Sequence, residues 1–217
     1  MGRVVRVSAV LAVLLALLAT QSPSEATLGG DPPNGGSTSA EPGRLRAELT
    51  FTKNTAHPWR STLAWDAARQ RGDGSWRVLA HDTWRAGSGL PGGGTENACT
   101  KGHGWLPNGT YSLLHYADYH GSLIHGRAFR LSDKRCANGT LREQLFIHTE
   151  AGAGNTQCAD APGDQLCRWE YPRINDYTSH GCIKMSPSAI LALTRDYHRF
   201  FHAGVRYPTA RVRLVVR

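Results

Sequence analysis

After residue 27 the chain lacks any apolar run that could cross a bilayer, because Arg, Gly or Pro interrupts each one well short of the roughly 20 residues a spanning helix needs. It also lacks a basic run interleaved with aromatics, which sets nucleic acid aside as a partner. No internal repeat is present, so a solenoid or propeller array is excluded. Acidic residues are scarce: 17 Asp and Glu face 25 Lys and Arg, for a formal charge of +8. That excess favours contact with anionic polymers such as acidic glycans or cell-wall polymers.

Residues 1–26 read as a secretory signal peptide. Arg3 and Arg6 form a basic start, Val10 to Ala19 is almost wholly apolar, and Ser24-Glu25-Ala26 offers small residues for cleavage. No cysteine stands near that point to carry a lipid, so no membrane anchor is expected after cleavage. The mature protein is expected to be extracytoplasmic, secreted or wall-associated. Residues 27–44, opening with TLGGDPPNGGSTSAEPG, lack the apolar content to fold and read as a flexible linker.

Five cysteines in an exported chain leave one thiol after two disulfides. Cys182 is the natural free thiol. The other four allow three connectivities, of which Cys99 to Cys136 with Cys158 to Cys167 is favoured, because the second pair closes a short loop containing Gly and Pro.

From Leu45 the chain alternates apolar and polar residues in short segments separated by turns. Strands are predicted over 45–52, 61–67, 76–84, 110–115, 127–131, 144–149 and 210–216. The Asn-Gly pairs at 108–109 and 138–139 mark turns; their match to the glycosylation sequon is secondary. One helix is predicted, capped by Ser186, with Pro187 in its first turn, apolar residues at Ile190, Leu191, Leu193, Tyr197 and Phe200, and Gly204 to end it. The class is mainly β, with a single domain over 45–217.

The segment SHGCIKM, residues 179–185, carries the chemistry. A thiol becomes a good nucleophile only as a thiolate, which a nearby imidazole or backbone amides favour. Glycine before the nucleophile lets backbone amides approach a developing oxyanion. His148 ends the apolar run QLFIHT, where a strand end would hold it as a general base. Cys182 and His148 are therefore a candidate dyad.

Ser179-His180-Gly181-Cys182, followed by Ile183, a basic residue and Met185, resembles the signature of the L,D-transpeptidase (YkuD-type) catalytic domain of bacterial cell-wall enzymes. LPNGTYSL at 106–113 and FIHT at 146–149 are similar to two further elements of that family. The resemblance implies a β-sandwich with one helix after the Cys motif, and a cysteine-dependent acyltransferase that needs no cofactor or metal. Cys182 would be the nucleophile and His148 the base, with the Thr149 carbonyl orienting the imidazole. His180 would line the site, and the amides of Gly181 and Cys182 would form the oxyanion hole. Ser179, Tyr177 and Trp169 are the candidate substrate contacts. The partner implied is a peptidoglycan stem peptide, in a role in cell-wall organisation and cell shape.

The chain departs from the family's pattern in two places. The stretch between His148 and Cys182 is long and holds Cys158 and Cys167, which suggests a tied lid or wall. Its Trp169, Tyr171 and Tyr177 would either face substrate or pack a small core of their own. Lys184 stands where the family more often has Arg, keeping the charge without the planar fork.

Three other patterns are set aside. GSGLPG at 87–92 fits a dinucleotide motif by letters, but Pro91 and the following glycines oppose the helix it requires. His198 and His202 have helical spacing but no intervening Glu or third ligand for zinc. His148, His180, Cys158, Cys167 and Cys182 could be grouped as metal ligands, but export makes a disulfide the expected fate of the 158 and 167 pair. The alternatives to an L,D-transpeptidase are an L,D-carboxypeptidase, a non-catalytic wall-binding module, and a secreted effector with the same chemistry.

Overall fold

Period-two burial organises most of the chain into strands, and the residues that alternate are those the sequence marks as apolar. In a computed structural model that describes residues 43–92, 94–201 and 211–217, ten strands form. They are β1 (Leu45–Thr52), β2 (Ser61–Gln70), β3 (Trp76–Gly87), β4 (Gly109–His120), β5 (His125–Leu131), β6 (Lys134–Arg135), β7 (Leu141–Arg142), β8 (Phe146–His148), β9 (Ile183–Met185) and β10 (Val212–Val216). The expected signal peptide, the linker as far as residue 42, Gly204 and Ala210 lie outside the described residues.

The mainly β expectation holds. The sheet is a closed ring in the order β1-β10-β4-β5-β8-β9-β3-β2, so in place of a sandwich of two open-edged sheets one continuous ladder encloses the core. Closure removes the unpaired edges that an open sheet would expose. Neighbours are antiparallel except for β1 with β10 and β8 with β9, while β6 and β7 form a separate hairpin around the turn at Asn138-Gly139.

β1 buries Ala47, Leu49 and Phe51, and β10 buries Val212, Leu214 and Val216 in register with it. Trp65, Tyr111, Phe129 and Leu131 extend the same core from β2, β4 and β5. Four strands outrun their predicted bounds: β2 reaches Gln70, β3 Gly87 and β4 His120, and β5 starts at His125. β4 shifts register between Leu113 and His115, which breaks the alternation, yet its pairing with β5 continues to His120. Gly126 in β5 has φ +71°, and a side chain there would meet the carbonyls of Ala151 and Gly152 at 2.8 and 2.9 Å. The strand can thus lie against the segment that follows β8.

The helix α1 (Pro187–Phe200) starts as expected: the Ser186 side chain accepts from the Ala189 amide at 3.3 Å, and Pro187 occupies the first turn. Ile190, Leu193 and Tyr197 join the core, but Leu191 is exposed because it sits about 100° around the helix from Ile190. Tyr197 lies 5.4 Å from Phe129 and 5.7 Å from Phe201, and Phe201 meets Trp65 edge-on at 6.1 Å. These contacts fix the helix, and with it the turn that carries the cysteine motif.

Leu214 is fully buried in β10, between β1 and β4. Leu214→Ala should lower unfolding free energy by about 2–5 kcal/mol in urea denaturation; a loss below about 1 kcal/mol would mean that the ring does not depend on this strand.

Candidate active site

β8 and β9 run parallel with Ile147 opposite Ile183 and His148 opposite Lys184. Cys182 immediately precedes β9. The alternation of a strand therefore puts Cys182 and Lys184 on the face that also carries His148, while Ile147 and Ile183 point into the core. Cys182, His148 and His180 line one cavity of about 570 Å³, together with Arg142, Gln144 and Lys184. Cys182 is the free cysteine; Cys99–Cys136 and Cys158–Cys167 are both bridged, in the favoured connectivity.

His148 is buried, and its Nδ1 bonds the Thr149 carbonyl at 3.1 Å. Nδ1 is thus the protonated nitrogen, which leaves Nε2 as an acceptor. Burial, reinforced by the Lys184 charge, pushes the imidazole pKa down to about 3. The Cys182 thiol is pushed up to about 11, chiefly by burial and against the pull of the Phe146 amide, Lys184 and Arg142. Imidazole and thiol are both neutral at rest. The thiol donates to the Gln144 carbonyl at 3.7 Å, not to His148. Gln144 adopts φ +54°, which ends the extended run two residues before β8 and accounts for a strand shorter than predicted.

The turn carrying Cys182 is held from inside. Ser179 Oγ donates to the Cys182 carbonyl at 2.6 Å and accepts from the Gly181 amide at 3.2 Å, while the Ser179 amide donates to the Gly89 carbonyl at 3.1 Å. Ser179 is therefore a brace, with its hydroxyl spent within the turn instead of offered to a substrate. The Gly181 amide, expected in an oxyanion hole, is likewise engaged in this resting geometry. His180 is exposed, with Nδ1 donating to the Gly102 carbonyl at 2.6 Å.

Arg142 is the residue that sequence reasoning missed. Only 3 % exposed, it meets no carboxylate among the described residues; its guanidinium donates to the carbonyls of Gly104 at 3.0 Å, His180 at 3.2 Å, Trp105 at 3.4 Å, and Ala98. Gly181 makes room for it. At φ +117° a side chain on residue 181 would lie 2.0 Å from an Arg142 nitrogen. Arg142 thus clamps the cysteine turn to the loop before β4 and places a positive charge near the thiol.

Lys184 Nζ and Glu150 Oε1 form a buried ion pair beside His148. Burial outweighs the lysine's attraction and raises the Glu150 carboxyl pKa. Among the described residues, carboxylate oxygens of Glu150, Asp164 and Asp176 lie within 4.8 Å of one another, close enough to share a cation. Two already have work in the fold: Glu150 pairs Lys184, and Asp176 accepts from the backbone amides of Glu170 and of Tyr171, the latter at 2.7 Å.

The long stretch before the motif is tied by Cys158–Cys167 and by Arg173 to Asp160 and Glu170. Of its two open readings for the aromatics, packing is the one seen. Trp169 and Tyr171 both meet Tyr177 edge-on, at 4.8 and 5.3 Å, and Arg85 lies over Tyr177 at 4.0 Å. Neither Trp169 nor Tyr177 lines the cavity, which this segment reaches through Asp164, Leu166 and Thr178.

With its pKa near 11 instead of 9.0, Cys182 should alkylate with iodoacetamide about a hundredfold more slowly than an unperturbed thiol at pH 7. Its rate should climb about tenfold per pH unit to beyond pH 10. A fast plateau below pH 8 would reveal a preformed thiolate and contradict the neutral pair. Arg142→Met should cost about 2–4 kcal/mol in urea denaturation, because buried carbonyls lose their donor, and should move the alkylation profile further alkaline. An unchanged profile would remove Arg142 from the electrostatics of the thiol.

No family model and no curated protein matches the chain. Among solved structures it is similar to the helical cell shape determining protein Pgp2 from Campylobacter jejuni, at 13 % identity and a TM-score of 0.46, and to a point mutant of that protein, at 14 % and 0.43. Each comparison covers 81 % of this chain and 49 % of the other, so the chain spans about half the length of these structures.

Proposed function

We propose that the protein is a peptidoglycan L,D-transpeptidase that works through a cysteinyl thioester. One observation carries the reading: the unpaired Cys182 shares a cavity with His148, whose Nδ1 is tied to the Thr149 carbonyl and whose Nε2 is left to accept a proton. Two disulfides fit the oxidising compartment where such a substrate lies. Among the described residues no helix is long and apolar enough to cross a membrane.

In this reading the thiol first turns from the Gln144 carbonyl toward His148. Because both groups rest neutral, His148 Nε2 takes the proton as the sulfur attacks, acting as a general base instead of half of a standing ion pair. The sulfur bonds to the acyl carbon of the third, L-configured residue of a tetrapeptide stem. The Cys182 amide stabilises the oxyanion, and His148 returns the proton to the departing D-alanine amine. An amine of a second stem then attacks the thioester, passes its proton to His148, and the thiol reforms. His180 stands at the cavity wall, and no cofactor takes part. Resolution by water instead of an amine would make the same site an L,D-carboxypeptidase.

The test is intact mass of the protein after incubation with a disaccharide tetrapeptide, with analysis of the released products. Wild type should carry an acyl adduct and release D-alanine with cross-linked dimers, Cys182→Ala should do neither, and His148→Gln should acylate about 10²–10⁴-fold more slowly. Tripeptide without dimers would assign the carboxypeptidase. Folded protein with neither adduct nor D-alanine would overturn the enzyme reading in favour of a wall-binding module.

A further inference from the structure

A second cavity, of about 480 Å³, opens beside the Cys99–Cys136 disulfide. Four cationic side chains from three separate stretches converge on it: Lys53 after β1, Lys134 and Arg135 in β6, and Arg217 after β10. Glu96 is the one acid in its wall. Gathering like charges in a concavity is unfavourable unless counter-charge is supplied, and Glu96 alone leaves the four cations in excess. Lys53 Nζ donates to the neutral Asn108 Oδ1 at 2.6 Å and lies 4.6 Å from the centre of the Trp105 ring. Lys134 Nζ rests 5.6 Å from the centre of Tyr111, and Arg135 donates to the Gly139 carbonyl at 2.7 Å. Among the described residues none of the four forms an ion pair. Burial, with the Arg142 charge behind it, holds the Lys53 ammonium down at about 8, as expected for a cation short of a counter-ion.

The wall is built, not incidental. The disulfide joins the loop before β4 to the β6–β7 hairpin, and Gly109, at φ +132°, leaves the space that Lys134 occupies, since a side chain there would sit against its ammonium. Trp105, Pro107 and Ala137 supply apolar surface beside the charges. Such a cavity suits a ligand with two or more negative charges a few ångströms apart, joined by carbon that packs on an apolar floor. Trp105 is only 7 % exposed and offers no platform on which a base could stack, which disfavours nucleic acid.

We propose that this cavity binds successive phosphate groups of a polyol-phosphate polymer of the cell envelope, with Lys53, Lys134, Arg135 and Arg217 as counter-charges. The site is distinct from the cavity of Cys182 and does not require its thiol chemistry, while the choice of an envelope polymer rests on the extracytoplasmic setting of the proposed function. It anchors the protein to an anionic polymer whether or not the thiol is a nucleophile.

Isothermal titration of the full chain with poly(glycerol phosphate) oligomers, and separately with inorganic phosphate, tests this. Wild type should bind the oligomer saturably and weaken at least tenfold between about 50 and 200 mM salt, as screened charge contacts require. The double variant Lys53→Gln/Lys134→Gln should bind at least tenfold more weakly, with unchanged melting temperature and unchanged Cys182 alkylation. Arg77→Gln, which removes an exposed cation of β3 outside the cavity, should bind as wild type. Equal binding by the double variant and the Arg77→Gln control would show a net-charge effect and overturn the site. Inorganic phosphate binding as tightly as the oligomer would assign a small-anion site and overturn the polymer. Absence of saturable binding would overturn both.

Discussion

The parallel register of β8 and β9 is the constraint on which ring and site both depend. Each strand has three residues, and β5 and β3 flank the pair, so the ring cannot close unless Ile147 meets Ile183. A slip of β8 by one residue would put Ile147 on the cavity face and turn His148 into the core. Parallel strands are normally covered on both sides, and all six residues here are buried. One side is the barrel core. The other is the cavity wall, where His148, Lys184 and Glu150 take the place of apolar cover. The same pairing that completes the fold thus puts the thiol on the face that carries the imidazole.

Charge on that wall is handled in two ways. Lys184 is neutralised by Glu150, a buried pair whose loss of either partner would leave an isolated ion. Arg142 is instead solvated by four backbone carbonyls, so its positive charge stays uncompensated and acts on its surroundings. It depresses Lys53 on one side and opposes the rise of the Cys182 pKa on the other. One guanidinium therefore touches the electrostatics of both cavities. Gly181 also serves Arg142, because the space left by the missing side chain at 181 is where the guanidinium lies.

Much of this was legible wherever the physics is local. β1 runs over the residues its alternation marks, and the start of α1 follows from Ser186 and Pro187. Odd cysteine arithmetic leaves three connectivities, and the short loop favours the pairing that is seen. The residues that the motif singles out, Cys182, His148 and His180, line one cavity, and His148 bonds the Thr149 carbonyl. What was not legible depends on partners distant in sequence. Nothing local to Arg142 announces that its ligands are carbonyls about 40 residues away on either side. Trp169 and Tyr177 could not be assigned because an aromatic is equally at home in a small core or on a groove, and only the meeting with Arg85 decides. Ser179 reads as a polar group beside a nucleophile, but its hydroxyl is consumed by two bonds within its own turn.

The neutral resting state of Cys182 has a consequence for a chain with two disulfides. Thiol–disulfide exchange proceeds through the thiolate, so a standing thiolate would be a reagent against Cys99–Cys136 and Cys158–Cys167, and a target for any disulfide in the same compartment. Burial avoids this by holding the pKa near 11, and the protonated thiol donates to the Gln144 carbonyl. The same burial depresses His148, which keeps Nε2 unprotonated and able to accept a proton even in acid. In the proposed reaction, a pair neutral at rest loses the head start of an ion pair and must first turn the sulfur from the Gln144 carbonyl toward Nε2. In that reaction a substrate carbonyl at the cavity wall would couple proton transfer to bond formation once the sulfur has turned, so that reactivity would follow occupancy of the cavity.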